Sequence, residues 1–295
     1  MWSNGRMRLG ICVRDRPATE VARLGCFAED HGYDEVYIPD TRGAVADPAG
    51  RLSGRDAFVN LAAMFASTTR VRGAVGVAAV PFHLPGPLAL TAASLAELSE
   101  GRFTLGIGIS HAESARAAGV AFPSSPLAAT REWLAAMKAR SASGLAFGGG
   151  FPVVVGALGP KMVALGAAEG DGVVLNWLTP EHAARTVAEV AAAAAAGGPD
   201  HHALSVLYVR MSSPEALRAD AVGYDALANY HQHFVNQGLT TPEAIVAGTT
   251  LPAHDPALAR ERLAAYAAAG IDLVCVYPHG LEEADRERAL AGVTA

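Results

Sequence analysis

The stretch PVVVGALGPKMVALGAAEGDGVVLN, Pro152–Asn176, decides the fold. Two short apolar runs, Val153–Val155 and Val173–Leu175, flank a segment from Lys161 to Glu169 that reads as a helix. Gly156, Gly159 and Pro160 mark the turn into that helix, and Gly170 and Gly172 close it. Strand, helix and strand in so few residues make one β-α-β unit. The strands are continuous in valine and leucine, as expected where both faces of a sheet are covered. The first turn of a helix carries N–H groups without partners, and the helix dipole adds positive charge there. Gly156 and Gly159 let another molecule approach the backbone, Pro160 suits the first helical position, and Lys161 can add a cation. The corner suits a phosphate. It also suits an ordinary strand-to-helix turn with a solvated lysine.

The same alternation runs through the chain. Apolar runs at Arg8–Val13, Glu35–Ile38, Val71–Val80, Phe103–Ile107, Pro152–Val155, Val173–Leu175, Leu204–Arg210 and Ile271–Tyr277 are separated by helical stretches. Eight such strands in 295 residues predict a (β/α)8 TIM barrel, a single α/β domain over residues 1–295 with 1–7 as a loose extension. An open doubly wound sheet is the rival. VRDRP, not GxGxxG, follows the first strand, which lowers a dinucleotide-binding reading. In a barrel, function sits at the C-terminal ends of the strands. The Gly156–Lys161 corner lies at such an end.

Other residues share that position: Asp40 and Thr41, Gly76 and Val77 ahead of the proline-rich PFHLPGP, Ser110 and His111, Asn176 and Trp177, Tyr208 and Arg210, Tyr277 and His279. Each has a plain reading as well: Asp40 as a turn cap, Trp177 as a cover for the mouth, the tyrosines as core-edge residues with wet hydroxyls. Together they would ring one opening. No metal site is expected, because His231 and His233 are two apart and a helix points them to different faces.

Lys plus Arg is 23 and Asp plus Glu 29, a net charge of −6, with no basic stripe, so no nucleic-acid partner is expected. No apolar segment is long enough for a membrane span, and no secretory leader is visible. Cys12, Cys26 and Cys275 are scattered and read as buried free thiols, which fits a cytoplasmic protein.

Three stretches carry a family resemblance. VPFHLPGPLALTAASLAELSEGRFTLGIGISH, Val80–His111, resembles the luciferase-like flavin and deazaflavin oxidoreductases, with Pro85, Leu95, Leu98, Ser99, Gly101, Arg102, Leu105, Gly106, Gly108 and His111 in register. GALGPKM followed by EGDGVVLNW is similar to the family's second motif, and AEDHGYDEVYIPD, Ala28–Asp40, to a third. The resemblance implies a TIM barrel that binds coenzyme F420 or, alternatively, FMN. The cofactor phosphate would rest on the backbone of Gly156, Ala157, Leu158, Gly159, Pro160 and Lys161, with Asp40, Gly76, Val77, Asn176 and Trp177 also at the cofactor. It implies a non-prolyl cis peptide at Gly76–Val77 and, commonly, a homodimer.

Departures from the family pattern limit what carries over. The usual RHP is His83-Leu84-Pro85. One deazaflavin branch, a sugar-phosphate dehydrogenase, has a catalytic histidine where Thr41 stands and a glutamate acid where His111 stands. The segment Ala117–Gly150 is short, and with its glycines it reads as a lid. The compact chain with GALGPKM resembles the deazaflavin branch more than the luciferases. The expected activity is therefore hydride transfer from reduced F420 to a C=C or C=N bond of a small molecule, possible contexts being cofactor metabolism and, preferred here, natural-product biosynthesis. His111 is the expected proton donor, with Thr41, His83, Ser110, Tyr208 and Tyr277 at the substrate. An FMN-dependent monooxygenase and a non-catalytic flavin-binding protein are the alternatives.

Overall fold

Eight parallel strands close on themselves: β1 (Arg8–Cys12), β2 (Glu35–Ile38), β3 (Arg72–Ala79), β4 (Phe103–Gly108), β5 (Val153–Gly156), β6 (Gly172–Asn176), β7 (Leu204–Ser212) and β8 (Leu273–Pro278). Each pairs with the next in chain order. β8 then pairs with β1, from Arg8↔Leu273 to Ile11↔Val276, so the sheet is the expected (β/α)8 TIM barrel. The computed structural model describes residues 6–40, 45–46, 52–142, 150–198 and 200–294. Thr41 lies outside the described residues, as do residues 143–149 of the segment expected as a lid, Ala117–Gly150; the described part of that segment is largely the helix Pro126–Ala142.

Helices α1 (Ala18–Asp30), α2 (Ala57–Ser67), α3 (Pro85–Leu98), α4 (Ala112–Ala117), α5 (Pro126–Ala142), α6 (Pro160–Glu169) and α7 (Pro180–Ala194) connect the strands in turn. Between β7 and β8 the chain inserts four: α8 (Pro214–Asp225), α9 (Ala228–Asn236), α10 (Pro242–Thr249) and α11 (Pro256–Ala268). α12 (Glu283–Thr294) follows β8. One local code starts four of these helices. Thr179, Ser213, Thr241 and Asp255 each stand before a proline, and each side chain accepts the amide of the third residue on, at 3.0–3.3 Å. The proline presets the first turn and the side-chain oxygen satisfies an orphan donor. α6 enters on Gly159-Pro160 without such an acceptor.

The floor of the barrel is stitched by carboxylates. Asp34, Asp171 and Asp272, each just ahead of a strand, accept the amides of Leu9, Val153 and Ser205 in neighbouring strands at 2.7–2.9 Å. Stranding one of these amides costs about 1–3 kcal/mol. Above them the barrel interior is filled by Tyr37, Ala74, Val154, Val174, Val206 and Leu273, with the free thiols Cys12 and Cys275 among them. Cys26 departs from expectation: it is exposed, because it falls on the solvent face of α1. No helix among the described residues is long and apolar enough to cross a membrane.

Candidate functional site

The C-terminal ends of the strands open into a cavity of about 630 Å³. Of the residues expected there, Asp40, Gly76, Val77, Ser110, His111, Gly156, Ala157, Leu158, Gly159, Pro160, Asn176, Tyr208 and Tyr277 line it. Arg210 lines it too; His83, Lys161, Trp177 and His279 do not.

One wall is backbone. The Gly76–Val77 peptide is cis, as the resemblance implies, and the β3–β4 register shifts between Val75 and Ala78. The Tyr208 hydroxyl donates to the Gly76 carbonyl at 2.6 Å. A Cβ on Gly76 would stand 1.9 Å from that hydroxyl, so only glycine fits. Burial holds the Tyr208 phenol well above its ordinary range, which leaves it a neutral donor tied to the backbone. At the neighbouring corner, the Ala157 amide is spent on Val174 and those of Met162 and Val163 on the Gly159 carbonyl. The first turn of α6 has no side-chain cap, and a Cβ on Gly159 would meet nothing within 4 Å. The helix N-terminus therefore faces open space across a bare backbone, which fits a phosphate. The Lys161 side chain is exposed and outside the cavity lining, so the corner's donors are amides.

The opposite wall comes from β6, β7 and the insertion. Arg210, 2% exposed, donates from Nε to Asp220 at 2.7 Å and from its terminal nitrogen to the Asn176 side-chain oxygen at 2.5 Å. Its guanidinium lies 4.0 Å over the Trp177 ring and 4.7 Å over Tyr224. Burial opposes that charge, but Tyr224, Asp220 and Tyr230 hold it above the ordinary arginine value. Trp177 is thus a buried backing for Arg210 instead of a cavity residue, because its positive φ of 54° turns it under the insertion. Asn176 also donates to the Tyr230 hydroxyl at 2.9 Å. His233 donates from Nε2 to the carbonyls of Asn176 and Trp177, each at 3.0 Å. His231, two residues earlier, is exposed, as helical spacing requires.

His83 is turned away from the mouth. Its Nε2 meets the Asp40 carboxylate at 2.5 Å, and its carbonyl accepts from Trp133. His111 lines the cavity at the N-cap of α4, with its ring 5.8 Å from that of Tyr230. Burial lowers its pKa, with Glu113 opposing, so it is predominantly neutral at pH 7. Sequence reasoning missed Arg14, His182, Tyr224, Asn229, Tyr230, Gln232, His233 and Asn236, which also line the cavity. The i, i+3 spacing of Tyr230 and His233 was the available signal, since it puts both on one face of α9.

The chain belongs to the luciferase-like monooxygenase family, whose model matches residues 7–273. A 5,10-methylenetetrahydromethanopterin reductase of Methanolobus tindarius is 28% identical over 211 residues, 66% of this chain and 61% of that protein. The chain spans about six-tenths of the length of the curated relatives it matches, 61%, 57% and 64% for three of them. Among solved structures, an F420-dependent secondary alcohol dehydrogenase in complex with an F420–acetone adduct superposes with a TM-score of 0.79 at 16% identity, over 98% of both chains. The oxygenating constituent of 3,6-diketocamphane monooxygenase from Pseudomonas putida, in complex with FMN, gives 0.69 at 17%, over 98% and 97%. At these identities the structural likeness shows the fold.

Four histidines at this end, His111, His182, His233 and His279, have pKa values lowered by burial. Unfolded imidazoles protonate near 6.5 while the folded ones resist, so below that pH the unfolded state binds more protons and stability is lost. Glu35, whose carboxyl burial raises, pulls the other way as a single group. The urea midpoint is expected to fall between about pH 7.5 and about pH 5.5. A flat or rising midpoint contradicts the assignment.

Proposed function

We propose that this member of the luciferase-like family is a coenzyme F420-dependent reductase of a small molecule. The observation that carries the reading is the bare corner of β5 and α6, Gly156–Lys161, set beside Gly76–Val77 on one cavity. It supplies backbone donors for a phosphate and a wall of glycine and small apolar side chains for a flat ring. The likeness to an F420-dependent secondary alcohol dehydrogenase of the same fold supports F420. Bound there, reduced F420 supplies a hydride to a C=C or C=N bond, and one proton completes the product.

The chain's own residues then do the following. The backbone amides of Leu158, Gly159 and Lys161 would hold the phosphate, with Gly156, Ala157 and Pro160 shaping the corner around it, and Asn176 and Asp40 would flank the ring. Tyr208 fixes the Gly76 carbonyl and donates nothing else. Ser110 and Tyr277 face the substrate. In its imidazolium form His111 would deliver the proton and be left as neutral imidazole. A lowered pKa keeps little imidazolium in reserve, so the proton must be replaced after each turnover. Exposed apolar side chains on and beside α2 and α3, Val59, Leu84, Leu90 and Leu98, support the homodimer, and a monomeric mass by light scattering at micromolar concentration rejects it.

The second reading is an FMN-dependent monooxygenase, supported by the FMN-bound neighbour of the same fold. A backbone cradle accepts either phosphate. Fluorescence titration of the purified protein separates the two. F420 is expected to bind with a Kd of about 1 μM or below, with FMN at least about tenfold weaker. The reverse order, with oxygen consumed when reduced FMN is supplied, establishes the monooxygenase instead.

A further inference from the structure

A second pocket, of about 300 Å³, adjoins the main cavity and shares Cys12, Arg14 and Tyr277 with it. The VRDRP turn after β1 and the start of α12 build it. Arg16, Arg286 and His279 supply its polar wall, with Asp15. The charges do not cancel. The Asp15 carboxylate is met by Arg55 at 3.2 Å. Glu20, behind the wall, meets Arg286 at 2.8 Å and Arg16 at 3.7 Å. Arg14, Arg16, Arg286 and Arg55 thus face Asp15 and Glu20, an excess of two positive charges. Asp220 is taken by Arg210 and Glu283 by Arg23. Burial keeps His279 neutral.

Arg14 is the unusual member. It is partly buried on the wall between the two pockets, and no carboxylate among the described residues pairs with it. Burial opposes its charge, yet Tyr277, Tyr224 and Asp220 hold its guanidinium above the ordinary arginine value, so it stays a cation. The Nε of Arg286, itself 4% exposed, also lacks a partner among the described residues. Arg286 keeps Glu20, but a guanidinium such as that of Arg14, withdrawn from water without an anion, is costly, and its planar fork of donors matches a carboxylate or phosphate oxygen pair.

We propose that the side pocket is an oxyanion site and that the substrate is an anion. Its carboxylate or phosphate sits on Arg14, with Arg16 and Arg286 beside it, and its reducible bond extends into the main cavity past Tyr277. The word substrate rests on the reductase reading; the oxyanion site does not.

Calorimetric titration of the full chain with succinate and, separately, with inorganic phosphate tests this at low salt. One of the two is expected to bind at a single site, and Arg14→Gln to weaken it by about tenfold or more while F420 affinity is unaltered. Arg16→Gln, at the pocket rim, is the second variant; it should weaken the anion severalfold with an unaltered circular dichroism spectrum, and it decides the matter if Arg14→Gln fails to fold. Absence of heat with both anions overturns the proposal. So does equal anion affinity in the folded variants, or displacement of F420 by phosphate, which assigns the anion to the α6 corner. If F420 does not bind but anion binding depends on Arg14, the reductase reading falls and the oxyanion site stands.

Discussion

A single buried cation organises the mouth of this barrel. Arg210 sits at the end of β7 with almost no exposure, and its charge can be kept there only by partners on every side. Asp220 comes from α8, Asn176 and Trp177 from the end of β6, and Tyr224 from α8 again. Removing one member of such a set costs about 3–5 kcal/mol, because a buried charge is left without its counterpart. The α8–α9 insertion is fastened to the barrel through this cluster. Asn176 then relays the order outward to Tyr230, and His233 to the carbonyls of Asn176 and Trp177. The side-chain wall of the cavity exists because that cation must be satisfied.

The facing wall obeys a different constraint, close approach. Gly76 is forced by the Tyr208 hydroxyl, and Gly108 by Val77, whose Cγ2 would lie 2.5 Å from an added Cβ. Gly106 is set by the Val75 carbonyl, 2.4 Å from an added Cβ, so the LGIGI pattern of β4 is the imprint of β3 packing across it. With Gly156 and Gly159, this side presents little but backbone. A backbone wall recognises a shape and a phosphate, whereas a wall of histidine, tyrosine, asparagine and arginine discriminates among polar substrates. The division matches a protein that holds one flat phosphorylated cofactor and selects a separate small molecule.

The fold was legible because its signals are local and repeated. Eight short valine- and leucine-rich runs at regular spacing require burial on both faces, and the glycine-proline corner at Gly156–Lys161 was read correctly as lying at a strand's C-terminal end. Most of the residues that escaped were placed by the insertion, His182 on α7 and Arg14 after β1 being the exceptions. NYHQHF shows a helical face, but nothing within it says which strand ends it covers. Arg14 was passed over because a charged residue after a strand usually meets solvent; only the closure of β1 against β8 buries it beside Tyr277. Trp177 and His83 were placed in the cavity because position along a strand gives height but not rotation. A positive φ at Trp177 and the Asp40 carboxylate at His83 turn both away. Lys161 was counted for its charge, while the structure offers its amide.

In the proposed reductase, the first turn of α6 holds the cofactor phosphate through main-chain amides. A crystal structure of the complex with F420 tests it most directly. Phosphate oxygens are expected at about 2.7–3.2 Å from the amide nitrogens of Leu158, Gly159 or Lys161, with the Lys161 side chain still in solvent. A phosphate held by arginine side chains elsewhere, or one that makes no contact with this corner, contradicts it.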